Sequence, residues 1–239
     1  MKKQLSIFIL SILLLLSVSA CSKNENRFPA NGVLIIGDEN HTGAIMNRYK
    51  ENTKEQEAFA VKTGRFDQKR VLIINESTAQ AMMNAKLFRK RDQASLSKTL
   101  DTLPNFPKES SLLFINEEEK NIKSIEIEGN KIPVTYGSDA WLGNKRDYGA
   151  LWYIVVAKNS VYKEIKANET NMQLLHFKKS LGDENPKIST DNTLINEKVK
   201  VRKLIEGYRD EVSIQFVTIE KNLKKSSRLM DTLSTSSSF

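Results

Sequence analysis

The sequence predicts one α+β domain, with a mixed and mostly antiparallel sheet, flanking helices and a long C-terminal helix. Three observations support this fold class. Short apolar, β-branched runs are separated by Gly, Asn and Asp, as is typical of strands joined by turns. Other stretches space their apolar residues at the helical period. The 239-residue length, once a leader is set aside, suits a single domain with its own core.

Apolar runs predict strands in the first part of the chain, at residues 33–36, 58–61 and 70–74. The polar residues 38–43 predict a loop after the first of these strands. Residues 44–57 show no clear period, and we expect them to be partly helical.

A capping-box pattern formed by Ser77 and Gln80 predicts the start of a helix. Good helix formers follow, and apolar residues extend the helical pattern to Leu103, where Pro104 ends it. The sequence therefore predicts a long helix here, with a kink or break near Asp92.

From Ser111 onward the pattern changes to β. Residues 112–115 predict one strand, and residues 125–128 and 131–136 predict a hairpin around Gly129-Asn130. The most hydrophobic stretch after the leader, residues 151–157, predicts the central strand.

Two further helices are predicted, at residues 159–181 and along residues 201–223. The second has an alternative, because Val212, Ile214 and Phe216 alternate as they would in a strand. Gly207 also weakens an unbroken helix by about 1 kcal/mol. We favour the helix over the strand.

The first 21 residues are typical of a targeting segment. Lys2 and Lys3 precede an uncharged apolar run, and the segment ends in the small residues Val18-Ser19-Ala20 followed by Cys21, the only cysteine. This ending resembles the bacterial lipobox, in which signal peptidase II cuts before a lipid-modified cysteine. Two alternatives remain: an ordinary secretory signal cut after Ala20, which leaves a free thiol, and an uncleaved membrane anchor.

The lipobox resemblance implies a lipid-anchored protein on the extracytoplasmic face of the cell membrane. Residues 1–20 would be the signal peptide, and residues 21–32 the lipidated Cys21 with a short tether. Residues 33–230 would form the α+β domain, and residues 231–239 a disordered tail rich in Ser and Thr. Membrane lipid, bound through acylated Cys21, is thus the first expected partner.

The charge indicates the kinds of partner to expect. The formal net charge of +8 falls to +6 when Lys2 and Lys3 are removed with the leader. Outside the cytoplasm, a basic surface meets anionic headgroups and anionic envelope polymers before it meets nucleic acid. We therefore expect no nucleic-acid partner, although the charge can equally serve solubility alone.

The strongest basic cluster consists of Lys86, Arg89 and Lys90, which share one face of the predicted helix by their spacing. Such a face suits contact with an anionic bilayer. The alternative is an ordinary solvated helix face.

The best candidate for partner binding is the segment 136–148, which joins two predicted strands. It contains aromatic and charged residues of the kinds enriched at binding hot spots. These residues are Trp141, Lys145, Arg146, Asp147 and Tyr148. The alternative is that the aromatic residues only fix the loop to the core.

No catalytic residue, metal site or cofactor is predicted, because the nucleotide-binding, hydrolase, zinc and redox motifs are missing from the sequence. We therefore expect a non-catalytic lipoprotein that binds an envelope protein or polymer. A solute-binding lipoprotein for a small ligand is the alternative, followed by a carboxylate-based envelope hydrolase.

Overall fold

The computed structural model describes residues 28–92, 97–146, 152–184 and 192–220. The strands are β1 (Gly32–Gly37), β2 (Thr53–Phe66), β3 (Lys69–Asn75), β4 (Phe88–Arg91), β5 (Ser97–Thr99), β6 (Ser111–Phe114), β7 (Ser124–Ile127), β8 (Asn130–Ser138), β9 (Ala140–Leu142), β10 (Trp152–Ala157), β11 (Asn168–Phe177) and β12 (Ser213–Val217). The helices are α1 (Glu39–Tyr49), α2 (Glu76–Asn84), α3 (Asn159–Glu164) and α4 (Thr193–Leu204). Short 3₁₀ turns occupy Lys50–Asn52, Glu117–Glu119 and Glu206–Tyr208.

Nine of the described strands form one large sheet in the order β12-β1-β11-β2-β3-β10-β6-β8-β7. Its neighbouring strands are antiparallel except for the parallel pairs β3–β10 and β6–β8. The short strands β5, β4 and β9 form a second, antiparallel sheet. This arrangement confirms the predicted α+β fold with a mixed, mostly antiparallel sheet.

The large sheet is buried on both faces at β1. Leu34 and Ile36 pack into an apolar cluster that includes Met82 of α2. Val33 and Ile35 point the other way, into a cluster shared with α1 and α4. This double burial explains why the run reads as continuously apolar and not as alternating.

Several predicted strands are confirmed. The strand predicted at 151–157 corresponds to β10, which lies between β3 and β6 in the interior of the sheet. The β7–β8 hairpin is also confirmed, but its turn residues are Glu128 and Gly129, with φ of 49° and 77°. Positive φ at both positions matches the twist of a two-residue hairpin, so the turn lies one residue earlier than predicted.

The loop predicted at 38–43 is wrong, because α1 begins at Glu39. Asp38 is the residue that caps this helix, and its carboxylate accepts a hydrogen bond of 2.8 Å from the Asn40 N–H. The polar residues that indicated a loop are therefore the first turn of a capped helix.

The helix predicted from Ser77 exists but is much shorter than expected. It is α2, with Asn75 as its N-cap, and it ends at Asn84. Lys86 then adopts a left-handed φ of 61°, and the chain continues into β4. The basic helix face is consequently wrong: Arg89 and Lys90 are adjacent residues of a strand and point to opposite faces.

The helix predicted at 159–181 is wrong over most of its length. The helix α3 ends at Glu164, and β11 follows. Met172 and Leu174 face one apolar cluster, whereas Leu175 and Phe177 face the opposite one. Burial on both faces removes the alternation that would have marked a strand.

The long C-terminal helix is also wrong, and the strand alternative is correct. The helix α4 ends at Leu204, a 3₁₀ turn containing Gly207 follows, and Ser213–Val217 form β12. β12 pairs with β1 at the outer edge of the large sheet. This edge position brings residues distant in sequence into one cleft.

Candidate functional site

Within the described part of the segment, residues 136–146, strands occupy 136–138 and 140–142 in place of the predicted loop. β8 extends to Ser138, and β9 holds Trp141 in the small sheet. Arg89 of β4 is directly opposite Trp141 in the register. Residues of the two predicted sites thus meet in one three-stranded sheet. Asp147, Tyr148 and Cys21 lie outside the described residues.

Arg146 is held in a packed set of side chains that we call the Arg146 network, comprising Arg146, Asp139, Asn116 and Trp141. Its guanidinium pairs with Asp139 and donates to the side-chain oxygen of Asn116, and its side chain is only 8% exposed. It also lies 5.0 Å from the Trp141 ring, a cation–π distance. Arg91 contacts the same Asp139 carboxylate at 2.9 Å. Arg146 therefore has a structural role.

A small cavity of about 30 Å³ lies under Trp141 and is bounded by Glu119 and Tyr153. Its volume is enough for about one water molecule. The indole Nε1 of Trp141 is buried and finds no hydrogen-bond partner among the described residues. A single bridging water would satisfy this donor. Because the volume is only about 30 Å³, the cavity is too small to hold a substrate.

Lys69, Glu119 and Tyr153 form a hydrogen-bonded cluster beside this cavity. The Tyr153 hydroxyl donates to Glu119 at 2.5 Å, and Lys69 donates to both residues, at 2.8 Å to the hydroxyl. Burial raises the pKa of Tyr153. Burial also opposes ionisation of Glu119, but hydrogen bonds from Lys69 and Tyr153 hold its pKa below the ordinary value. The hydrogen bond to Glu119 is the main cause of the raised pKa of Lys69.

The largest feature near the predicted site is an open cleft of about 600 Å³ between α4, β12 and the turn after β9, which we call the basic cleft. Its charged lining consists of one carboxylate, that of Glu184, and several cationic side chains. These cations are Arg70, Lys145, Arg146, Lys198, Arg202 and Arg209. The predicted residues Lys145 and Arg146 therefore lie on its wall.

The cations of the basic cleft are only partly neutralised. Lys198 pairs with Glu184 at 2.6 Å, and Arg70 donates to the Arg209 carbonyl at 3.4 Å. Lys145 and Arg202 are exposed. The lining carries six cationic side chains and one carboxylate, and Arg146 and Arg209 also have acidic partners outside it, Asp139 and Glu206. The remaining excess of cations produces a positive potential, which a concave surface concentrates. The arrangement is suited to holding an anion.

Helix α4, one wall of the basic cleft, is fixed to α1 by the half-buried carboxylate of Glu197. Arg48 donates two hydrogen bonds to Glu197, at 2.9 and 2.7 Å, and the Tyr49 hydroxyl adds a third at 3.2 Å. The hydrogen bond from Arg48 is the main cause of the lowered pKa of Glu197, and burial opposes it. The opposite wall is fixed by Asn144, which accepts from the Thr218 N–H at 3.0 Å.

The basic cleft lies near the first described residue of the chain. The N–H of Glu184 donates to the Phe28 carbonyl at 3.1 Å, and the N–H of Phe28 donates to the Asp183 carboxylate. The Arg89 guanidinium lies 5.7 Å from the Phe28 ring. Both Glu184 and Arg89 are therefore close to the point where the N-terminal segment reaches the domain.

The basic residues that the sequence grouped together are placed differently. Lys86 pairs with Asp101. Arg89 is 8% exposed, bonds to Ser97, and has its pKa lowered mainly by burial. Lys90 is half-buried on the other face of β4. These three side chains do not form one surface.

The remaining cations of the cleft were missed by sequence reasoning. Arg70, Lys198, Arg202 and Arg209 come from three separate segments, and no local motif links them. Within the described ranges, no group of three His, Cys, Asp or Glu residues is placed to hold a metal ion. No helix in the described part of the chain is long and apolar enough to cross a membrane.

Comparison with known proteins gives a family and one shared fold. A family described as an uncharacterised lipoprotein family matches residues 30–207. The crystal structure of a candidate lipoprotein from Bacillus anthracis is similar, at 25% identity and a TM-score of 0.57 over 80% of this chain and 99% of that chain. The periplasmic region of MacB from Actinobacillus actinomycetemcomitans aligns at 11% identity over 88% of this chain and 96% of that chain, but its TM-score of 0.26 is too low to indicate a shared fold. No curated protein matches the chain.

Proposed function

The chain belongs to an uncharacterised lipoprotein family, and we propose that it binds an anionic component of the cell envelope in the basic cleft. In this proposal, lipid on Cys21 holds the domain at the extracytoplasmic face of the membrane. The lipobox-like ending Val18-Ser19-Ala20-Cys21 and the absence of any other cysteine from the sequence support the anchor.

The observation that carries the proposal is the charge of the basic cleft. Six cationic side chains from four parts of the chain line the cleft with one carboxylate, that of Glu184. Arg146 and Arg209 also have acidic partners outside the lining, Asp139 and Glu206, and an excess of cations remains. Like charges brought together repel one another, so such a cluster costs stability unless a ligand neutralises it. An anionic protein segment or envelope polymer is the ligand that this charge favours.

The position of the cleft supports an envelope ligand. Cys21 and Phe28 are seven residues apart, so the chain between them spans at most roughly 25 Å. Glu184, which bonds to Phe28, lines the cleft. A ligand in the cleft would therefore lie close to the bilayer surface.

We propose that the protein binds its ligand without catalysing a reaction. The most acid–base-like group is the cluster of Lys69, Glu119 and Tyr153. Its pKa shifts keep Lys69 charged, Glu119 ionised and Tyr153 protonated near neutral pH. A general base or acid at that pH needs shifts in the opposite directions.

A small anionic solute is the second candidate ligand, favoured by the cleft volume. About 600 Å³ lies within the range of small-molecule pockets. The two ligand classes differ in how affinity depends on ligand length. A solute site is saturated by inorganic phosphate or a single small acid, whereas a polymer site gains affinity with each added anionic unit.

The test uses the full chain, purified in neutral detergent, and measures binding of polyglutamate, polyphosphate and inorganic phosphate. The variant Lys145→Gln/Arg202→Gln removes two exposed cleft cations. The control Arg65→Gln/Lys131→Gln removes the same two residue types at exposed positions on β2 and β8. We expect the cleft variant to bind at least about tenfold more weakly, since each charge-assisted contact is worth roughly 1 kcal/mol or more. Equal losses of affinity in both variants would show that only net charge matters and that the basic cleft is not the binding site.

A further inference from the structure

The outer edge of β12 forms part of the basic cleft. Ser213, Ile214, Gln215 and Phe216 all line it. Successive side chains of a strand point to opposite faces, so a cavity that meets four consecutive residues must meet the strand at its edge. The large sheet begins at β12, and no described strand pairs with its outer side. Backbone N–H and C=O groups of β12 therefore face the cleft.

We propose that the ligand of the basic cleft is an acidic polypeptide segment that binds in extended conformation and pairs with β12 as an added strand. This inference rests on the proposed function and specifies its ligand. Strand addition to an exposed sheet edge is a common mode of peptide recognition, in which main-chain hydrogen bonds supply affinity.

The mixture of donors and acceptors along the edge favours a peptide over other anions. An unpaired strand edge presents N–H donors and C=O acceptors in alternation. A phosphate polymer offers acceptors only, so the carbonyls of β12 would face its negative charge. A polypeptide backbone satisfies both kinds of group.

The walls of the cleft determine the side chains that the peptide should carry. The helix α4, which carries Lys198 and Arg202, packs in the apolar cluster that contains Phe216. The turn that carries Lys145 includes Gly143, which lies against Gln215. Because Gln215 and Phe216 point to opposite faces, the two walls lie on opposite sides of β12. Because a bound strand projects its side chains alternately toward both walls, acidic residues are favoured on both of its faces. The charge complementarity thus extends along the whole segment and is not limited to one end.

The same charges disfavour two other occupants. The C-terminal residues 221–239 include Lys221, Lys224, Lys225 and Arg228, and only one acidic residue, Asp231. A second copy of the chain would bring two basic clefts together. Repulsion between the cations on their walls would oppose such self-pairing, so the edge favours an acidic partner over a second copy.

The test compares three versions of an acetylated octapeptide with the sequence Glu-Glu-Thr-Thr-Glu-Glu-Thr-Thr. One is unmethylated, one carries backbone N-methyl groups at positions 4 and 6, and one carries them at positions 4 and 5. Positions 4 and 6 lie on the same edge of an extended peptide, so the other edge stays free to pair. Positions 4 and 5 block both edges with the same number of methyl groups and the same charge.

Binding is measured by fluorescence anisotropy with the full chain in neutral detergent. We expect the 4,6-peptide to bind within about threefold of the unmethylated one and the 4,5-peptide at least about tenfold more weakly, because backbone hydrogen bonds are lost. Equal affinities for the two methylated peptides would overturn strand addition.

A second arm separates this inference from the proposed function. Polyphosphate and vesicles of phosphatidylglycerol, with phosphatidylcholine vesicles as control, are tested against the Lys145→Gln/Arg202→Gln variant. If polyphosphate or phosphatidylglycerol binds in the cleft and the peptide does not, strand addition is refuted and anion binding stands. If no anion binds, both proposals fail. Peptide binding that the cleft variant weakens supports both.

Discussion

The Arg146 network and the basic cleft lie side by side, but the cation of the network is buried and paired, whereas cations of the cleft are exposed. Arg146 is buried, and Asp139, Asn116 and the Trp141 ring surround its guanidinium. Lys145, the preceding residue, is exposed on the wall of the cleft. Adjacent residues of similar chemistry therefore lie in different settings, one paired within the fold and the other in the proposed ligand site.

The difference shows that the partners of a cation indicate its role better than its charge does. A buried guanidinium with a carboxylate, an amide oxygen and an aromatic face has its charge and donors satisfied within the fold. Exposed cations around a concave surface have hydrogen-bond donors that are accessible to an anionic ligand. On this basis we assign Arg146 to the scaffold, and we propose Lys145 and Arg202 as ligand-binding residues.

Arg146→Ala should cause the largest loss of stability. It removes a buried cation and leaves the Asp139 carboxylate without its partner in the network, although Arg91 still contacts it. Breaking a buried pair in this way destabilises by about 3 kcal/mol. The free energy of unfolding in urea, measured by circular dichroism, is the test.

Lys145→Ala is the matched control for this variant, because it truncates the neighbouring exposed cation. Its free energy of unfolding should stay within about 0.5 kcal/mol of the wild type. If both variants unfold at the same urea concentration, the distinction between the Arg146 network and the basic cleft is wrong.

The sequence predicted those strands whose signals are local. β1, β3 and β10 are apolar runs bounded by turn residues, and a two-residue turn joins β7 to β8. Their existence follows from composition and turn chemistry alone. The predicted fold class was correct because these elements dominate the sheet.

Secondary structure was predicted wrongly where burial on both faces, or long-range pairing, hides the alternation of apolar residues that marks a strand. In β11, Leu174 and Leu175 face opposite cores, so the apolar residues do not alternate. In β12, the apolar positions continue the helical spacing of α4, and only the register with β1 decides for a strand. Long-range pairing of this kind cannot be read from one segment.

The candidate site was predicted in part for the same reason. Lys145 and Arg146, which line the cleft, were singled out with Trp141 because the three are close together in the sequence. Arg70 and Arg209 lie far apart in sequence and meet in the cleft through the fold, as the hydrogen bond between them shows. A wrong assignment of β12 therefore hid most of the cleft.

Glu197→Gln should have an intermediate effect, because it weakens the attachment of the cleft wall α4 to α1. Glu197 accepts hydrogen bonds from Arg48 and Tyr49. Losing the charge should cost about 1 to 2 kcal/mol at pH 7, since hydrogen bonds to charged groups are the stronger kind. Glu206→Gln is the control, because that carboxylate is 74% exposed and 3.6 Å from Arg209; its stability should be unchanged.

The pH dependence gives this variant a second readout. The folded pKa of Glu197 lies below its ordinary value of 4.5. Its contribution is therefore fully present above that ordinary value and is lost as the pH falls through the lowered folded pKa. The stability of the wild type and of Glu197→Gln should converge as the pH falls from the ordinary value of 4.5 through the lowered folded pKa. A gap that stays constant over this range would contradict the role of the ionised carboxylate.

Lys145→Gln should have the smallest effect on stability, and its sign is informative. In the unoccupied cleft, Lys145 lies among other cations, so its removal relieves repulsion and should raise stability by a few tenths of a kcal/mol at low salt. Screening at 0.5 M NaCl should abolish this gain. Lys131→Gln, on the distant strand β8 at the other end of the sheet order, should show no such gain.

Polyphosphate should raise the melting temperature of the wild type more than that of Lys145→Gln, because binding to the folded state stabilises it. Equal thermal shifts for the two proteins would place Lys145 outside the anion site and return the cleft to an ordinary solvated surface.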